Sequence, residues 1–125
     1  MRPEQDPHGV DVGVLLGWVA LIVSLVVQVV GLYAASAPGP QGVVGFDKLS
    51  HVAGFGVPAA LAWLLRARWL VTLMTVHAFL SEPLQGWVAP TRMADPLDLL
   101  ADLVGIALGV GTATVIHRAR RQGRP

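Results

Sequence analysis

Seven polar residues in an otherwise apolar chain have the types and spacing to do chemistry: Asp47, Lys48, His51, Glu82, Gln85, Arg92 and Asp98. A histidine among carboxylates can shuttle a proton or hold a metal. A desolvated carboxylate such as Glu82 can serve as general acid, general base or ligand. Lys48 and Arg92 can attract an anionic group, arginine through bidentate contacts to phosphate. An eighth residue, Asp102, follows Asp98 by four positions, so the two lie on one helical face, as do Asp47 and His51. That face of the last apolar segment continues through Gly105 and Gly109, a Gly-x-x-x-Gly spacing that admits another helix closely. Glu82 and Gln85 are three apart beside Pro83, which removes the backbone hydrogen bond to residue 79 and predicts a kink. No recognised metal-ligand spacing is present, so His51 is expected to be a hydrogen-bonded histidine, and neither metal nor cofactor is expected.

The elements that position these groups follow from composition. Of the 125 residues, 54% are hydrophobic and 14% charged, against about 25% charged in an ordinary soluble domain, which points to an integral membrane protein. Val12 to Phe46 contains no charged residue, and residues 12–35 exceed the ~20 needed to cross the hydrocarbon core as a helix. Residues 49–65 carry His51 as their one ionisable group, residues 69–89 carry His77 and Glu82, and residues 97–116 carry Asp98 and Asp102. The expectation is an all-α, polytopic membrane protein: a single domain over 1–125 with four transmembrane helices in a compact antiparallel bundle. Arg2, Arg66, Arg68, Arg118, Arg120, Arg121 and Arg124 fall on one side of this topology and Lys48 and Arg92 on the other. The positive-inside rule therefore predicts cytoplasmic termini and outward loops around residues 36–48 and 90–96, in a multi-pass protein of the cell membrane.

A cleavable signal peptide is the competing reading of the first segment, because Ala35-Ser36-Ala37 has the small residues of a cleavage site. The leading arm, however, contains Glu4, Asp6 and Asp11 against Arg2, and the apolar run outlasts the ~7 to 15 residues of a signal core. There is no cysteine, which excludes disulfides and thiol chemistry, and a net charge of +1 carries no nucleic-acid footprint. Trp63, Trp69 and Trp87 stand where aromatic belts would lie. Gln28 and His77 are expected to be packed polar residues. Asp95-Pro96-Leu97-Asp98 has the form of a helix start, with Asp95 as N-cap and proline at the first position. Capping does not explain Asp102, which lies too far into the helix, and two aspartates exposed in mid-membrane would oppose insertion by roughly 5 to 7 kcal/mol. An interhelical partner such as Arg92 or Lys48 is expected for it, and a pairing with Arg92 or His51 for Glu82.

Taken together, Asp47-Lys48-x-x-His51, Glu82-x-x-Gln85, Arg92-x5-Asp98 and the run to Gly105-x3-Gly109 resemble the VanZ-like family of small bacterial membrane proteins. The resemblance covers residues 46–109, with Asp102 standing where the family pattern usually has asparagine and Pro83 a less usual neighbour of Glu82. It implies an envelope-associated protein, in a family whose namesake is linked to resistance to the glycopeptide teicoplanin. Asp47, Lys48, His51, Glu82, Gln85, Arg92 and Asp98 carry over as motif positions. The expected function is an outward-facing polar pocket that binds or modifies a cell-envelope lipid or glycan precursor. In it Lys48 and Arg92 would attract an anionic headgroup, with Asp47, Gln85 and Asp102 as further ligand-binding residues and Glu82, His51 and Asp98 as positioning or proton-transferring groups. The alternatives are a small ion-coupled transporter, which would need a homo-oligomer to build a pathway, and a non-catalytic structural bundle.

Overall fold

The computed structural model describes residues 11–34, 45–88 and 95–123. Among them are four helices and no strand: α1 (Val12–Tyr33), α2 (Phe46–Leu64), α3 (Arg68–Val88) and α4 (Pro96–Gln122). Two of these, α1 and α4, are long and apolar enough to cross a membrane. Arg92, the Ala35-Ser36-Ala37 tripeptide and most of the loop around residues 36–48 lie outside the described residues.

Each helix begins where its chemistry allows. Asp11 caps α1 by accepting from the amides of Gly13 and Val14. Asp95 caps α4 by accepting from Leu97, with Pro96 in the first turn, as its sequence predicts. α2 starts at Phe46, three residues earlier than apolarity alone suggests, because Gly45 takes a left-handed conformation (φ 81°) that admits the extra turn. This brings Asp47 and Lys48 into the helix. α3 runs through Pro83 as one helix. α4 continues past Ile116 to Gln122, where Arg120 and Arg121 sit favourably in a last turn whose free carbonyls carry partial negative charge.

The α2/α4 contact is the main interface of the bundle, while α1 and α4 lie on opposite sides of the α2/α3 pair and do not meet. Partners advance together along both chains of the main interface, from Lys48 with Asp98 through His51 with Asp102 and Gly105 with Val52 to Gly109 with Gly56. Helices α2 and α4 are therefore parallel. Small residues make the contact possible: Ala101, Gly105, Gly109 and Ala113 recur every fourth residue on α4 and are all buried. A Cβ at Gly105 would collide with the Val52 carbonyl, and one at Gly109 with the Gly56 carbonyl and the Ala60 amide. The apolar core centres on Phe55, Ala59, Met74, Ala78 and Ile106, closed by Leu32. On the outside, α1 exposes Leu15, Leu16, Ile22, Val26, Val27 and Val30.

Candidate functional site

Because α2 and α4 are parallel, their N-termini lie side by side, and with them two sets of unsatisfied backbone amides with partial positive charge. Carboxylates gather there for that reason: Asp47 in the first turn of α2, Asp98 in the first turn of α4 and Asp95 as its cap. Lys48 reaches across the gap. Its ammonium donates to Asp98 Oδ1, to Asp95 Oδ2 at 2.5 Å and to Asp47 Oδ2 at 3.3 Å. The hydrogen bond from Lys48, helped by the Leu97 amide, holds the Asp95 carboxyl below the usual carboxylate range, so Asp95 stays ionised in acid that protonates a free aspartate.

One turn deeper, His51 Nδ1 lies 2.8 Å from Asp102 Oδ1, and its Nε2 lies 3.6 Å from Asp98 Oδ2, beyond hydrogen-bond reach. Burial rises steadily along this relay: side-chain exposure is 34% at Lys48, 9% at Asp98, 4% at His51 and zero at Asp102. Asp102 Oδ2 is buried with no partner among the described residues, as is Glu82 Oε1. Glu82 comes from α3, accepts from the Asp95 backbone amide and feels the charges of Asp98, His51 and Asp102. Three helices thus contribute to one cluster. Its described members are Asp47, Glu82, Asp95, Asp98 and Asp102 on the acidic side against Lys48 and His51.

Several expectations change with this geometry. Asp102 pairs with His51 rather than with Lys48, because in the parallel register it faces the residue one turn below the lysine. Lys48 is expected to attract an anionic headgroup, but three carboxylates already surround its ammonium. Gln85 is not in the cluster. It donates to the Leu32 carbonyl at 2.8 Å and so satisfies one of the last-turn carbonyls of α1. Glu82 meets His51 electrostatically, while its proposed partner Arg92 is outside the described residues. His77 packs between Tyr33 and Phe55 and lies 2.8 Å from the Tyr33 hydroxyl, as a structural polar residue does.

Sequence reasoning overlooked a groove between α1 and α2. It encloses about 520 Å³ and runs along Ala20 to Leu32 of α1 and Ser50 to Pro58 of α2. At 1.5 Å per residue the α1 wall is about 18 Å long. The walls are almost wholly apolar, and His51 lines one end. Ser24 and Ser50 turn their hydroxyls back to carbonyls of their own helices. Gln28 does not: it is buried, lines the groove, and its Nε2 donor has no partner among the described residues. The signal in the sequence was a single amide side chain within an uncharged apolar stretch.

Comparison with protein-family models, with curated proteins and with solved structures finds no match to this chain.

Proposed function

We propose that the chain is a four-span protein of the cell membrane, with both termini cytoplasmic, that binds an amphiphilic envelope lipid or lipid-linked precursor at its outward end. The α1/α2 groove ending on His51 carries this reading, because an apolar slot that opens onto a polar cluster matches a molecule with a hydrocarbon chain and a polar head. Helices α2 and α3, with 19 and 21 residues, extend about 28 to 32 Å at 1.5 Å per residue, close to the ~30 Å hydrocarbon thickness. The placement of Arg66, Arg68, Arg118, Arg120 and Arg121 at the opposite end from the cluster supports the orientation. The hydrocarbon chain lies against Val23, Val27 and Val57, and Gln28 Nε2 donates to an ester or other acceptor near the head. Glu82, with its unpaired buried oxygen, accepts a hydrogen bond or a proton from the headgroup. The VanZ-like resemblance of the motif positions points to the same extracytoplasmic setting.

Ala53 is exposed and lines the groove, so Ala53→Trp fills the slot without entering the core. Native mass spectrometry of the detergent-purified chain should find lipid retained by the wild type and at least tenfold less retained by Ala53→Trp, a loss of about 1.4 kcal/mol in binding. Equal retention by both proteins contradicts the groove as the binding site.

A further inference from the structure

We propose that Asp47, His51 and Asp98 form a site for a divalent cation of the zinc or manganese class. Their ligand atoms lie within 4.8 Å of one another and come from two packed helices, as metal sites in helical bundles do. The pair at the centre has the right opening. Atoms 3.6 Å apart, such as His51 Nε2 and Asp98 Oδ2, subtend roughly 115 to 120° at a cation about 2.1 Å from each, an angle that a four- or five-coordinate ion accepts. Asp47, the half-exposed member, stands in the first turn of α2 with Oδ2 3.3 Å from the Lys48 ammonium, and completes the three-residue set.

The groups behind this pair point to a cation as well. Asp102 holds His51 by Nδ1, which fixes the ring and turns Nε2 toward Asp98, the arrangement by which a carboxylate orients a metal-binding histidine. Asp102 is fully buried and its second oxygen has no partner among the described residues, so its charge calls for a compensating positive charge on the far side of the imidazole. Lys48 does not occupy that place: it contacts Asp98 through Oδ1, leaving Oδ2 on the His51 side. With His51 neutral, Asp47, Asp95, Asp98 and Asp102 outnumber Lys48, and a divalent ion would offset two of the excess negative charges. The mixture of one imidazole with carboxylates suits zinc or manganese better than calcium, which takes oxygen ligands alone.

The cation would also give an acidic pocket the means to hold a phosphate-bearing head, and that part alone rests on the lipid reading above. The full-length chain, purified in detergent and stripped with a chelator, should take up a single Co²⁺ ion with visible absorption bands of a nitrogen/oxygen site, displaced by stoichiometric Zn²⁺. His51→Ala should abolish the bands, Asp98→Asn should do so without changing side-chain volume, and Asp102→Asn should weaken binding 10- to 100-fold. Absence of stoichiometric metal on the wild type, or an unchanged spectrum in both His51→Ala and Asp98→Asn, overturns the proposal and leaves His51 as an imidazolium between carboxylates. Lipid retention by the stripped protein reads the groove separately: metal-free protein that keeps its lipid sinks only the cation site, and lipid-free protein that binds Co²⁺ sinks only the groove.

Discussion

Gly109→Ala is expected to destabilise the bundle strongly, although it adds a single methyl group to a helix. That methyl would meet the Gly56 carbonyl and the Ala60 amide, both backbone atoms of α2 that cannot swing aside as a side chain can. Overpacking of a core costs typically 1 to 3 kcal/mol when side chains can adjust. Here the two helices themselves must separate, at the interface that holds most of the bundle together, so a loss above about 3 kcal/mol is expected. Such a loss is a large fraction of the 5 to 15 kcal/mol of a typical domain. Gly111 supplies the control. It lies on the same helix, is exposed and has open space around its Cβ position. Gly111→Ala should therefore be neutral or stabilising by up to about 1 kcal/mol through helix propensity. Unfolding in mixed detergent, followed by far-ultraviolet circular dichroism, separates the two. Equal midpoints for the two variants would show that α2 and α4 do not approach as closely as described.

His51→Leu carries the second large effect. It removes the partner of Asp102, which has no exposed surface and whose other oxygen is already unpaired. Leaving a buried carboxylate without its hydrogen-bond donor costs about 1 to 3 kcal/mol, and more for a charged group, because its desolvation is no longer offset. The double variant His51→Leu/Asp102→Leu replaces the pair with apolar groups that suit their surroundings, and it should recover most of that loss. The double-mutant cycle is thus expected to show strong positive coupling. Recovery of stability without recovery of lipid or metal binding would separate what the pair does for the fold from what it does for the site. Additive losses in the cycle would mean that the two side chains do not depend on each other.

The faces of the helices were legible in the sequence, and their mutual rotation was not. Asp98, Asp102, Gly105 and Gly109 do share one buried face of α4, as their fourfold spacing predicts. Asp95 is a cap for the reason its sequence suggests. Partner choice across helices depends on register, which a lone sequence does not contain. Asp102 therefore could not be assigned to His51 rather than to Lys48, and Gln85 could not be removed from the pocket that its spacing from Glu82 implied. Lys48 illustrates a further gap. A cation at the outward end of a span looks available for an anionic ligand until the parallel packing of α2 and α4 places three carboxylates around it. Gln28 reads from sequence as a packed polar residue, as a single amide in an apolar helix usually is, and its unsatisfied donor becomes visible only with the groove.

On the proposed function, one lipid occupies a defined slot between α1 and α2. Photocrosslinking in native membranes tests it most directly, with a diazirine carried on the lipid hydrocarbon chain and the modified residues located by peptide mass spectrometry. Labelling should concentrate on Val27, Ala53 and Val57 in the groove and fall several-fold lower on Val76 of α3 and Val115 of α4, which are exposed but lie away from it. Uniform labelling of all four exposed faces would describe ordinary surrounding lipid and contradict the slot.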